Sequence, residues 1–401
     1  GQPFLPTEIR LITTTEGATV VTNPAAPSAG EAALELEELW RLGDLDSDLL
    51  LGIVSELLVG PQGQVYILDS QLSEIQVIAP DGTWLDTIGR EGEGPGEFRN
   101  AADMFWAPGP QIGVLQSWPG KIVMLTPDGF PGDTYELPYT RGGRMQSASR
   151  GMGQEGRIVL SGSAWSGGAE GGEQMTYLAA FDADGNQVAT FHETAREMNF
   201  GNWTFQEERF ADFQRRWAAA PDGRVAAALE FGAYRIHLWN ADGSLDRIIE
   251  RPDHEPVERT AAEREISQTI HDRVTQWNPG SSFEIADTHQ AVEKLHFGAD
   301  GSLWVQAAAD VHRTPDGRLT SFDVYDREGR YVQRVHVDLP GVDAVTDGIF
   351  LAGGRLYLVT DLQAAWLSAL DAGGDVTAGA EPVTVRAYAI QPEAGALAQV
   401  P

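Results

Sequence analysis

Glycine-centred turns recur in pairs along this chain, and that recurrence restricts the fold more than any other feature. The first turn of each pair sits at Gly63, Gly109, Gly156, Gly223, Gly301 and Gly354, and the second at Gly82, Gly129, Gly185, Gly243, Gly329 and Gly373. Around most second turns the chain reads Asp-Gly or a near variant, as in APDGTW, TPDGFP, DADGNQ, NADGSL and DREGRY. Asp-Gly between two apolar runs signals a tight hairpin, because the turn needs positive φ, which glycine adopts without a Cβ clash. Each unit reads as four short strands; in the first these are SELLVGP, QVYILD, EIQVIAP and TWLDTIG. No long amphipathic helix alternates with them, which argues against a parallel α/β sheet. The chain has 401 residues, beyond the roughly 250–300 at which one ordinary core stops growing. A ring of repeated units answers that limit, and the spacing predicts an all-β, six-bladed β-propeller.

Closing such a ring needs a strand from one terminus to join the blade at the other. The segment Leu34–Leu42 (LELEELWRL) is the candidate, beside RLYLVTD and VTVRAYAI of the last blade. A Pro/Ala/Gly stretch, NPAAPSAGEAA, precedes it. Residues 1–33 therefore read as an N-terminal extension and linker, strapped to the outside or leading from an anchor, and residues 34–401 as the propeller. One helix is expected, a short insertion over Glu255–Val274 between blades four and five, where it could cap one face.

Hydrophobic residues make up 42% and Trp numbers 11, enough apolar surface to fold. No apolar run approaches the about 18 residues of a membrane helix. No leader-type segment opens the chain, so the expectation is that any such segment was removed ahead of Gly1. Twenty-eight basic residues stand against 59 acidic ones, for a net charge of -31. That balance argues against nucleic-acid binding, which needs clustered Lys and Arg, and against anionic membranes. Cysteine is absent, which removes disulfides, thiolate metal sites and cysteine nucleophiles.

Residues 88–98 read IGREGEGPGEF, directly after the first blade. With GQVYILDSQLSEIQVIAPDGTWLDTIG before it, this stretch resembles the bacterial six-bladed β-propeller proteins related to NHL repeats. The resemblance covers blade one closely and blades four (PDGRVAAALE) and five (DGSLWVQ) in part. Blade two departs from it, with QIGVLQSW where the family usually carries an Asp after the second strand. What the resemblance implies is the fold and an exported location, periplasmic or extracellular, with no single activity. The glycines at 92, 94 and 96 read as a tight crossing; no helix or Lys follows that would make a phosphate loop.

Propeller sites usually lie at the mouth of the central channel. Counting seven residues back from each first-turn glycine marks Glu56, Ser149, Arg216, Lys294 and Asp347 as equivalent inner-strand positions. In blade two the strict count reaches Ala102, and Asp103 is equivalent only if Pro110 marks the turn. With that shift, Asp347, Glu56 and Asp103 fall on adjacent blades opposite Arg216 and Lys294, and the mouth is polarised. Two readings stand side by side: an internally paired ion network, or a calcium site held by Glu56, Asp103 and Asp347. Nearby loops add Trp118, Arg141, Arg144, Tyr234, His312 and Arg313. Rings mixed with Arg suit a sugar, peptide or carboxylated ligand. Five of the eight histidines fall between residues 254 and 312 without a zinc signature, so only folding could assemble them into a metal cluster. No Gly-x-Ser-x-Gly elbow is present. The expected function is binding of a small molecule, peptide or protein at the channel mouth without catalysis. A calcium-dependent hydrolase or lyase, or a component of a cell-surface assembly, are the alternatives. The sequence establishes no cofactor; calcium is the one the acidic arc would take.

Overall fold

The computed structural model describes residues 8–13, 17–43, 49–117, 120–137, 145–168, 171–199, 204–210, 213–274, 282–371, 383–392 and 401. Strands Val54–Val59, Val65–Asp69, Glu74–Ile78 and Trp84–Ile88 pair antiparallel in chain order as the first sheet. A second runs from Ala101–Ala107 to Pro131–Glu136, and a third, with longer strands, from Met145–Gln154 to Gln187–Asn199. The fourth runs from Trp217–Ala219 to Leu245–Glu250, and the fifth from Val292–Phe297 to Tyr331–Asp338. The last sheet takes Gly348–Ala352, Arg355–Val359 and Val385–Pro392 from the C-terminal region and Glu31–Leu42 from the N-terminal region.

Each apolar cluster is shared by two neighbouring sheets. Tyr66, Leu68 and Ile75 of the first meet Met104, Ile112 and Val114 of the second. The succession ends with Tyr357, Val385 and Ala387 of the last sheet packed on Val54, Leu57 and Ile67 of the first. Sheets stacked face to face around a ring make this a β-propeller. Stacking explains why Val65–Asp69 is buried at every residue and does not alternate, since both faces of an inner strand meet a neighbouring sheet. The outer strand Trp84–Ile88 is exposed along most of its length.

The turn glycines named above all have positive φ, except Gly373, which lies outside the described residues. The crossing after the first sheet is tight, with Gly96 at φ 76° and the Glu97 carboxylate folded back to accept from Gly94 N at 2.8 Å and Arg90 Nε at 2.7 Å.

The N-terminal segment runs along the outer edges of three successive sheets. Thr19–Thr22 pairs parallel with Leu245–Glu250, and Arg10–Thr13 pairs antiparallel outside it. Buried Asn23 donates to Gly329 O at 3.0 Å and accepts from Tyr331 N at 2.8 Å. Residues 31–34 then pair parallel with Arg334–Val337, and Leu34–Leu42 pairs antiparallel with Val385–Pro392.

The helix between the fourth and fifth sheets spans Ala261–Val274, starting later than its composition suggests. The residues before it are tied to the next crossing, with Arg259 N bonded to Asp287 O and His289 N to Val257 O, both at 2.8 Å. Thr260 and Glu263 set the start by capping it. A second helix, Leu362–Asp371, which the sequence reading missed, touches the first. Among the described residues, no helix is long and apolar enough to cross a membrane.

Candidate functional site

Strand register decides which side chains line the centre. In the first, fourth and fifth sheets the opening hairpin has three loop residues, closed by Gly60–Gln64, Ala220–Arg224 and Gly298–Ser302 pairs. There the glycine is the last loop residue, so counting seven back reaches Glu56, Arg216 and Lys294. In the second sheet Gly109 is the middle loop residue, and Asp103 opposite Leu115 is the equivalent of Glu56 opposite Leu68. In the third and last sheets the loop has only two residues, with Gln154 paired to Arg157 and Ala352 to Arg355. Losing one loop residue moves the position by one, to Arg150 and Gly348 in place of Ser149 and Asp347. Glu56, Asp103, Arg150 and Lys294 each follow a register shift, and a bulge re-aims the next side chain.

Glu56 and Asp103 come together from adjacent sheets and hydrogen-bond to each other. Leu57 N donates to Glu56 Oε1 at 2.9 Å. Asp103 Oδ2 accepts from Gly151 N at 2.7 Å and Oδ1 from Met104 N at 2.9 Å. Burial, and then the Asp103 charge, push Glu56 up to about 8, with Arg150 opposing. Burial also raises Asp103, against the pull of Arg150 and of the backbone N–H groups. Two adjacent carboxyls in an enclosed site share a proton because ionising both is costly.

Two cations share the lining with the acids: Arg150, on the sheet next to that of Asp103, and Lys294, on the fifth sheet. Arg150 Nη1 donates to the carbonyls of Arg215 and Trp217 at 3.1 and 3.0 Å, with its guanidinium 5.7 Å from the Trp217 ring centre. Lys294 Nζ donates to Ile349 O at 3.2 Å, bridging the fifth and last sheets. Lys294 is enclosed by the sheets yet keeps solvent-exposed area, as a side chain lining an open passage does. Enclosure lowers its pKa, with the Glu56 charge working the other way. His296, two residues on, is pushed down to about 3 by burial and by Arg150 and Lys294.

The other expected residues are placed elsewhere. Asp347 caps its own loop, accepting from Asp343 N at 3.0 Å and Asp361 N at 2.9 Å, so it does not complete a carboxylate triad with Glu56 and Asp103. Those two carboxyls, bonded to each other and to backbone N–H, fall short of the about six to eight oxygens calcium takes. Arg216 is 2% exposed and donates to Glu230 O at 2.9 Å, which sets it in the wall. Tyr234 is buried between the fourth and fifth sheets, donating to Asp323 Oδ2 at 2.9 Å and accepting from Tyr325 at 2.9 Å. It packs there because its ring fills the apolar seam with Ile236 and Leu238, which leaves it away from the mouth. Asp69 accepts from four backbone N–H groups and is a loop cap. His312 and Arg313 are bonded to Glu293 and Glu263 respectively. Trp118, Arg141 and Arg144 lie outside the described residues. Sequence reasoning missed Arg150, although the two-residue Glu155–Gly156 loop signals the shift. It also missed Glu263, whose Thr-x-x-Glu spacing is a capping box. With His289 and His312, Glu263 forms a set of ligand atoms that converge.

No family model matches the chain, and no curated protein matches it. Among solved structures, it is similar to an inferred exported protein from Bacteroides fragilis, with a TM-score of 0.50 and 13% identity over 90% of this chain and 96% of that one. A DUF4221-family protein from Bacteroides vulgatus gives 0.48 and 11% over 90% and 99%. A gluconolactonase from Xanthomonas campestris gives 0.42 and 13% over 91% and 98%. At such identities the likeness concerns the fold alone.

Proposed function

We propose that this chain is an exported, six-bladed β-propeller related to NHL-repeat proteins. Residues 34–401 form the ring and residues 1–33 an extension along its outer edge. Its function is to bind a small polar ligand bearing a carboxylate at the channel mouth. The observation that carries this reading is the charged lining: the Glu56–Asp103 acid pair shares it with Arg150 and Lys294, and Lys294 keeps its exposure. The cations would take the carboxylate by charge-assisted hydrogen bonds, and the acid pair would take hydroxyl or amino groups at the other end. Thermal shift and calorimetric titration against sugar acids and amino acids test it. Binding should be lost on Lys294→Met and reduced on Arg150→Met. A panel without a binder, or binding indifferent to both variants, would count against it.

One observation favours a second reading as a hydrolase or lyase. A carboxyl held near pH 8 beside an open passage is poised as a general acid at neutral pH. Turnover of a lactone or ester, abolished by Glu56→Gln with ligand binding retained, would select this reading over simple binding.

A further inference from the structure

A carboxylate and two imidazoles from three separate segments meet beside the fifth sheet. Glu263, in the first turn of its helix, is held by the reciprocal cap in which Thr260 N donates to Oε2 at 2.6 Å and Glu263 N donates to Thr260 Oγ1 at 3.2 Å. His289 lies in the crossing before strand Val292–Phe297, and His312 ends the short helix Ala309–His312. Glu263 Oε1 is 3.3 Å from His289 Nε2 and 3.9 Å from His312 Nδ1. One donor atom from each residue lies within 4.8 Å of the other two. The imidazoles stack with centroids 3.5 Å apart.

Both facing nitrogens, His289 Nε2 and His312 Nδ1, are buried without a hydrogen-bond partner, and His289 is only 7% exposed. Buried polar atoms are nearly always satisfied, so two orphans aimed at one carboxylate call for an absent partner. The opposite nitrogen of His312, Nε2, sits 3.2 Å from Glu293 Oε1. A carboxylate behind a histidine is the arrangement that orients a metal-binding imidazole and leaves its other nitrogen free to ligate.

We propose that Glu263, His289 and His312 bind zinc, with Glu293 orienting His312. Zinc bonds of about 2.0–2.2 Å in tetrahedral geometry place neighbouring ligand atoms about 3.3 Å apart. The 3.3 and 3.9 Å separations approach this, and the stacked rings, 14° from parallel, would turn about their side-chain torsions so that both lone pairs meet at the ion. Two imidazoles and one carboxylate suit zinc and exclude calcium or magnesium as the preferred ion, since those take oxygen ligands. Arg313 Nη1 donates to Glu263 Oε1 at 3.0 Å, which steadies the carboxylate and leaves that oxygen a second lone pair. Three protein ligands leave a fourth position for water or for an oxygen of a bound molecule. Glu293 and Lys294 are consecutive in one strand but bond to different partners, His312 and Ile349 O, and the zinc site does not depend on the ligand proposed at the lining.

The whole chain, stripped with EDTA, should bind one zinc per chain by calorimetric titration and melt higher with zinc than without. Cobalt in place of zinc should give the visible absorption of a four-coordinate site. His289→Ala and His312→Ala should each weaken zinc binding by at least about 100-fold and remove the cobalt band. Glu293→Gln, which keeps every direct ligand, should weaken it by about 10–100-fold. Substoichiometric zinc, or zinc held equally well by the His289→Ala/His312→Ala double variant, would overturn the proposal. If that double variant does not fold, unchanged affinity in Glu293→Gln overturns it instead.

Discussion

Replacing Glu56 by Gln should change how stability depends on pH, and the direction follows from the site. Glu56 ordinarily titrates near 4.5 and is held at about 8 in the folded chain. An acid so raised keeps its proton more tightly when folded. Its contribution to stability is therefore complete below 4.5 and is lost as pH climbs through about 8. At about 1.4 kcal/mol per pH unit, the interval amounts to about 5 kcal/mol. Water in the passage screens part of it, leaving roughly 3–5 kcal/mol. An unfolding entropy of about 2.1 cal/mol/K per residue over 401 residues makes each kcal/mol worth about 1.2 °C. Glu56→Gln, neutral at every pH and able to donate to Asp103, should match the parent chain at pH 5 and melt about 4–6 °C higher at pH 9. Scanning calorimetry of both proteins at pH 5, 7 and 9 measures this. The general acidity of the chain destabilises both equally at high pH, so only their difference matters. Equal losses between pH 5 and 9 would refute a proton shared by Glu56 and Asp103.

Asp323 accepts from Tyr331 and Tyr234 hydroxyls at 2.7 and 2.9 Å and from Arg334 and Arg251 at 2.6 and 2.8 Å. Asp323→Ala would leave the Tyr234 and Tyr331 hydroxyls without their acceptor, while Arg251 and Arg334 keep Asp253 and Asp310, and should cost about 1–3 kcal/mol in urea unfolding. Asn23→Ala removes the buried link between the N-terminal segment and the turn at Gly329. It should cost about 1–3 kcal/mol, and hydrogen exchange should rise first in residues 19–34. Gly153→Ala would push a methyl into the carbonyl of Trp106, with a loss of at least about 1–3 kcal/mol in the same unfolding assay.

Much of the architecture is readable from local chemistry. Asp-Gly turns between apolar runs require positive φ, and Gly82, Gly129, Gly185 and Gly243 adopt it. Placing the lining residues was harder, because a two-residue loop and a three-residue loop both end in glycine. That ambiguity put Ser149 where Arg150 stands and drew Asp347 into an arc it does not join. Tyr234 resembled a mouth residue because an aromatic at a loop looks the same in sequence whether its hydroxyl meets a ligand or a buried Asp323.

Spacing of turns and strand-forming runs determined the sheets, since a hairpin is closed by residues a few positions apart. The lining acids and cations could likewise be marked strand by strand. What they do to one another depends on distance across the ring, and only the packed structure supplies that. Glu56 and Asp103 share a proton because neighbouring sheets press two carboxyls together where both are partly stripped of solvent. Glu263, His289 and His312 converge because a capped helix and two loops fold over the same edge. Neither arrangement leaves a local pattern, because each is made by contacts between segments that the chain itself keeps apart.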